Sequence, residues 1–170
     1  ANRVLGYTAQ QTLDYAQSLY EKRLCTYPRT DSRYLTDGMA DGVKPLVLCA
    51  AGICGLEPPF AVYAEQVCDS SKASDHHALV PTMSAADCEL DALPAGEREL
   101  LRLMVAQVLR AVCAPHRWLE TSVELTCGGF TYSVKRKTVL DPGWRVYDGA
   151  GRRDTSLPEL HQGGQLPVLC

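Results

Sequence analysis

The stretch "CTYPRTDSRYLTD", residues 25–37, sets Tyr27 ahead of Pro28 and interleaves Arg29 and Arg33 with Thr30, Asp31 and Ser32. A phenol with a pKa near ~10 is a poor nucleophile at neutral pH, so a working tyrosine needs cations beside it to favour phenolate or to stabilise the charge it creates. Arg29 and Arg33 are the local candidates. Against a phosphodiester the phenol has a compensating merit. The phosphotyrosine it forms keeps a reasonable leaving group, so the displaced hydroxyl can reverse the step without outside energy. Read from these residues alone, such a segment is more often a surface turn with a packed ring, and a phosphate grip in which Tyr27 only stacks on a base is a further alternative. Farther along, "SDHHALVPT" supplies His76 and His77, imidazoles able to hydrogen-bond a phosphate or shuttle a proton. Neighbouring side chains in an extended segment point to opposite sides, so at most one of the two faces Tyr27, which also disfavours a metal pair. Solvated loop histidines are the plain alternative.

These residues need positioning elements. "YTAQQTLDYAQSLYEKRL" carries Ala9, Leu13, Ala16, Tyr20 and Leu24 at helical steps, with Thr8 and Gln11 spaced as a capping box. The spacing predicts a helix ending near Cys25, because Tyr27 precedes proline and is pushed to extended geometry. On that helix Gln17 and Glu21 lie one turn apart, and an exposed i,i+4 pair accounts for their spacing. Thr30, Asp31 and Ser32 suit a turn or the cap of the next helix. That second helix is predicted from near Thr36 through "PLVLCAAGI", with a break at Lys44-Pro45. "DSSKASDHH" reads as an exposed loop. From Glu97 to Cys113 a third helix sets Leu100, Leu101, Met104, Val105, Val108, Leu109 and Val112 on one face, with Arg98, Arg102, Gln107 and Arg110 opposite. Beyond Trp118 the period becomes two: Val123, Leu125 and Cys127, then Gly128-Gly129, then Phe130, Tyr132 and Val134, a hairpin pattern. "DPG" marks a turn and "WRVY" alternates again.

The 170 residues, 46% hydrophobic with a formal net charge of −3, suit one compact domain or a domain with an appended piece. No run approaches the roughly 18 apolar residues a membrane span requires, and no signal-peptide pattern precedes the first helix. The expectation is a soluble, intracellular chain. The start at Ala1 and the ending "GGQLPVLC" suggest a part excised from something larger. Its eight cysteines include no CxxC pair and sit mostly in apolar runs, so they read as reduced, mostly buried thiols rather than zinc ligands or staples. Asp87, Glu89 and Asp91 alternate in a way that suits magnesium or a solvated acidic loop. Lys135, Arg136, Lys137, Arg145, Arg152 and Arg153 could track a DNA backbone or form the wet face of a hairpin.

"TYPRTDSRYL" resembles the active-site tyrosine motif of type IA DNA topoisomerases, and "AQSLYEKRL" resembles the helix leading into it. "SDHHALVPT" is similar to the family's histidine motif in the His-His form of the topoisomerase III branch. "LPAGERELLRLMVAQVL" and "VLDPGWRVYDG" continue the resemblance in the same order, over nearly the whole chain. It implies that Tyr27 attacks a phosphodiester of single-stranded DNA, joins the 5′-phosphate side and releases a 3′-hydroxyl that later attacks back. Arg29 would position the scissile phosphate or stabilise its transition-state charge, with His76 as the active-site histidine and His77 a weaker candidate. Gln17, Glu21, Thr30, Ser32 and Arg33 would line the DNA cleft.

The implied fold is α+β: a mainly helical, winged-helix (CAP-like) core over residues 1–120, and over 121–170 an antiparallel β segment belonging to the family's arch. The family also uses an N-terminal, acidic, magnesium-binding domain that nothing in this sequence resembles, so Mg²⁺ is expected for the full-length enzyme and no cofactor for this part. Its partners would be single-stranded DNA and that missing domain of the same polypeptide, with no membrane. The resemblance implies a bacterial, cytoplasmic, nucleoid-associated setting. Phosphate contacts dominate nucleic-acid affinity, so a net-acidic chain is expected to hold DNA weakly and not to relax supercoils by itself. Exposed strand edges are expected near residues 121–170.

Overall fold

The computed structural model describes residues 1–73, 75–148 and 160–165. Four α-helices, α1 (Asn2–Leu5), α2 (Ala9–Glu21), α3 (Ala40–Ile53) and α4 (Ala95–Ala111), precede one antiparallel pair of strands, β1 (Arg117–Cys127) and β2 (Phe130–Asp141). The architecture is α+β.

α2 begins with the capping box that the spacing predicts. The Gln11 N–H donates to Thr8 Oγ1 at 3.1 Å and the Thr8 N–H to Gln11 Oε1 at 2.9 Å. The helix stops at Glu21, short of Cys25, because Arg23 turns left-handed at φ 60°. The Leu24 N–H then reaches the Leu19 carbonyl at 2.9 Å and the Arg23 N–H reaches that of Tyr20 at 2.8 Å, a Schellman closure. Glycine usually fills that position, since an L-residue there is strained by roughly 1–2 kcal/mol.

α3 runs unbroken from Ala40 through Pro45 to Ile53, contrary to the predicted break, and a 3₁₀ turn at Asp37–Met39 leads into it. Pro45 and Asp41, whose carbonyl proline leaves without a donor, both lie on the exposed side, where water substitutes. The opposite side, Val43, Val47, Ala50 and Ala51, is buried in one hydrophobic cluster with Leu19 of α2 and Leu101, Val105 and Leu109 of α4. Full burial of each large aliphatic side chain there stabilises the fold by roughly 1.5–3 kcal/mol.

Glu97 also points inward. The residue is 6% exposed, and its carboxylate is held by Ser18 Oγ at 2.8 Å and by a salt bridge from Lys22, pinning the first turn of α4 to the end of α2. Gly96 lets the two helices meet: a Cβ there would lie 2.4 Å from the Tyr15 ring.

The hairpin turns at Gly128 (φ 58°) and Gly129 (φ 79°), and its register pairs Val123 with Val134, Leu125 with Tyr132 and Cys127 with Phe130. The predicted apolar stripe is therefore real, and it faces solvent: Phe130 is 70% and Tyr132 57% exposed. Lys135 and Lys137 lie on one face of β2 and Arg136 on the other, while Arg152 and Arg153 fall outside the described residues.

The "WRVY" alternation is not a strand. Gly143–Tyr147 is a 3₁₀ helix. The Gly143 N–H bonds the Asp141 carboxylate at 2.8 Å and the Trp144 N–H the Ala114 carbonyl at 3.1 Å, folding the segment back on the end of α4. Arg110, predicted to lie on the solvated face, instead donates to the Tyr147 carbonyl at 2.6 Å and pairs with Asp148 at 3.0 Å. These local partners outcompete a sheet that has no further strand to offer among the described residues.

Among the seven described cysteines none is disulfide-bonded, and only Cys25 and Cys113 are fully buried, fewer than the sequence suggests. No helix among the described residues is long and apolar enough to cross a membrane.

Candidate active site

The left-handed turn at Arg23 sends the chain across the end of α2 into an extended run that carries Tyr27. That run is held by the segment after the histidines. The Thr26 N–H donates to the Val80 carbonyl at 2.9 Å, the Val80 N–H returns to Thr26 Oγ1 at 3.0 Å, and the Thr82 N–H reaches the Leu24 carbonyl at 3.1 Å. Cys25 and Pro81 form an antiparallel bridge. Farther on, the Ala78 N–H donates to Tyr34 at 2.8 Å, and Leu35 bridges Cys68 in parallel. Leu24, Cys25, Leu35 and Val80 anchor both segments in the core. Two stretches some fifty residues apart in sequence (Thr26 to Ala78, |i−j| 52) are thus fastened side by side, with Tyr27 and His76 between the fasteners.

The Tyr27 ring is half-buried and lies outside the core. Its centroid is 4.9 Å from that of His76, tilted by 48°, and 5.5 Å from that of Tyr20 in an edge-on contact. Its hydroxyl makes no hydrogen bond to a described residue. His76 is exposed. His77 turns to its own chain, with Nδ1 2.8 Å from the Ala78 carbonyl, which fits opposite orientations for the two imidazoles.

Thr30 and Ser32 hold the turn. Thr30 Oγ1 donates to the His76 carbonyl at 3.4 Å and accepts the Ser32 N–H at 3.1 Å, while Ser32 Oγ lies 3.1 Å from the Tyr34 and Lys72 carbonyls. Both hydroxyls are therefore engaged in positioning the Tyr27 and His76 segments. Gln17 Nε2 donates to Glu21 Oε1 at 3.0 Å, the bland pairing that their spacing allows. Arg29 and Arg33 are exposed, have no ion pair among the described residues, and make no cation–π contact with Tyr27. The structure brings together Tyr27, His76 and the Thr30 hydroxyl; it leaves both guanidiniums open to solvent.

Tyr20 and Arg23 were not singled out by sequence reasoning. Tyr20, 40% exposed, joins Tyr27 to an open cleft of 430 Å³ lined by Tyr20, Glu21, Arg23, Cys25, Thr26 and Thr82. Helical spacing assigned Tyr20 to the apolar face, and nothing in its spacing separates a core ring from one at the rim. Lys72 was also missed; its ammonium lies 4.7 Å over the Tyr34 ring and pairs with Asp69 at 2.7 Å. The Cys25 thiol is no rival nucleophile, since burial pushes its pKa to about 12.

Among the described residues no group of three or more His, Cys, Asp or Glu side chains is placed to hold a metal ion. Asp87, Glu89 and Asp91 are exposed, and Asp91 lies 3.9 Å from Arg98.

A family model described as DNA topoisomerase matches residues 1–169, and the chain belongs to that family. Its relatives include the DNA topoisomerase 3 of Bacillus subtilis (strain 168), 34% identical over 189 residues, which covers 99% of this chain and 25% of the relative. The DNA topoisomerase 3 of Bacillus licheniformis is likewise 34% identical over 188 residues, with the same shares covered. The chain thus spans about a quarter of the length of these relatives. Full-length topoisomerase I from Thermotoga maritima has the same fold, with a TM-score of 0.66 at 23% identity over 94% of this chain and 27% of that one.

Proposed function

We propose that this chain is the tyrosine-bearing part of a type IA DNA topoisomerase, which cleaves and rejoins single-stranded DNA through a 5′-phosphotyrosine. The observation that carries the reading is the Tyr27–His76 contact at 4.9 Å, with a phenol oxygen that no described group occupies. Tyr27 Oη attacks phosphorus, an O–P bond forms, and the bond to the 3′-oxygen breaks. The phenol loses a proton and the departing 3′-oxygen gains one, so proton count balances. In this reading His76 relays that proton or hydrogen-bonds the phosphate, and Arg29 meets the charge that builds on the phosphate oxygens. Religation is the same step reversed. Thr30 and Ser32 hold the two reacting segments in register; Arg33, His77, Gln17 and Glu21 border the path of the strand.

Magnesium, when bound by the family's N-terminal acidic domain, supplies further phosphate charge neutralisation. That domain and single-stranded DNA are the proposed partners, and the bacterial cytoplasm, at the chromosome, is the proposed setting. A second reading, a non-catalytic winged-helix nucleic-acid-binding module, draws support from the edge-on Tyr20–Tyr27 pair, which would serve as a stacking platform.

The two readings separate with a 3′-labelled single-stranded oligonucleotide, incubated with the chain alone and with the chain replacing the matching quarter of the B. subtilis relative. The catalytic reading expects a covalent adduct from the longer protein, absent in Tyr27→Phe. An adduct that persists in Tyr27→Phe removes Tyr27 as nucleophile, and one formed by the chain alone removes the requirement for the acidic domain.

A further inference from the structure

We propose that Arg23 is a DNA-backbone cation of the Tyr27 cleft, a positioning residue outside the tyrosine motif; this rests on the proposed function above in taking single-stranded DNA as the ligand. The cleft at the end of α2 is lined by Tyr20, Glu21, Arg23, Cys25, Thr26 and Thr82, and its Tyr20 ring packs edge-on against that of Tyr27, centroids 5.5 Å apart. Of its lining groups, Thr26 and Thr82 spend their hydroxyls on the Ala78 and Arg23 carbonyls, and the Cys25 thiol faces the Ala16 carbonyl at 3.6 Å. Glu21 is negative and tied to Gln17. Arg23 is the one cationic side chain in that lining.

Its placement is unusual. Arg23 is the one non-glycine residue with positive φ, 60°, among the described residues, at a helix-closing position that glycine fills without strain. Its side chain is exposed and has no hydrogen bond or ion pair among the described residues. A guanidinium keeps its charge at every physiological pH and grips phosphate through paired N–H groups. A strand entering the cleft would therefore have one phosphate on Arg23 and a base over the exposed Tyr20 ring before reaching Tyr27.

The test measures binding of the chain to a short single-stranded oligonucleotide by fluorescence anisotropy across a salt series, for the wild type, Arg23→Gly and Arg23→Lys, with melting temperatures of all three. Relief of backbone strain keeps the Arg23→Gly melting temperature at or above that of the wild type. Its affinity nevertheless falls several-fold at low salt, and the slope of log K against log salt shrinks by about 0.7, one single-strand phosphate contact. Arg23→Lys keeps the slope. Arg23→Gly with unchanged affinity and slope, equal losses in Arg23→Gly and Arg23→Lys, or no binding by the wild type at low salt would each overturn the proposal. The adduct assay reads separately: an adduct with an indifferent Arg23 leaves the catalytic reading standing, and an Arg23-dependent affinity without an adduct leaves a binding module.

Discussion

The turn that carries Tyr27 and the hairpin that follows α4 are both extended backbone, yet they are held in opposite ways. The turn is fastened on one side to residues 78–82 and rests on Leu24, Cys25, Leu35 and Val80, all under a tenth exposed. The hairpin satisfies its backbone through its own ladder and leaves an apolar stripe of Leu125, Phe130 and Tyr132 in solvent. Geometry near Tyr27 is thus set within this chain, because the core that orders it is local. The hairpin has no core of its own, and isolated two-stranded ribbons are marginal in water. Its exposed edges match the expectation for residues 121–170 as far as residue 141, where the ladder ends.

Core truncation should separate the two regions most widely. Leu101→Ala, at a position with no exposure, is expected to destabilise by about 2–5 kcal/mol. Tyr132→Ala on the hairpin is expected to stay within about 0.5 kcal/mol. Chemical denaturation of the chain measures both; comparable losses would mean that the hairpin is integral to the core after all. Next in size is Gly96→Ala, whose new Cβ would fall 2.4 Å from the Tyr15 ring. Overpacking of this kind costs about 1–3 kcal/mol, and Tyr15→Leu in the same chain should recover part of it. Thr8→Ala removes the cap of α2 and should cost about 1 kcal/mol, read as a lower denaturation midpoint with an unchanged slope.

The smallest effect is on pH. The hydrogen bond that Tyr7 donates to Glu99 at 2.5 Å raises the phenol pKa from 10.0 to about 12. A raised folded-state value favours the neutral form, so its stabilisation is complete below pH 10 and is lost as pH climbs to about 12. The wild-type melting temperature should therefore fall across that window more steeply than that of Tyr7→Phe.

Much of this comparison was legible in the sequence, because strong periodicity reflects which face is buried. The apolar face of α4, the Thr8–Gln11 box and the Gly128-Gly129 turn follow from local chemistry alone. The juxtaposition of Tyr27 and His76 was legible only through resemblance, since long-range pairing leaves no local mark. What escaped has physical causes. Pro45 stays helical because its orphaned acceptor faces water, and "WRVY" loses its alternation to hydrogen bonds with Ala114 and Arg110. Glu97 looks like a solvated helix-start carboxylate until Ser18 and Lys22 are seen to meet it. Arg23 stands where a glycine would have announced the end of α2.

The nucleophile assignment is tested most directly by digesting the covalent adduct of the longer protein with protease and locating the nucleotide by peptide mass. The added 5′-phosphonucleotide is expected on the peptide that contains Tyr27 and on no other. Attachment to a different residue, with Tyr27 unmodified, would contradict it.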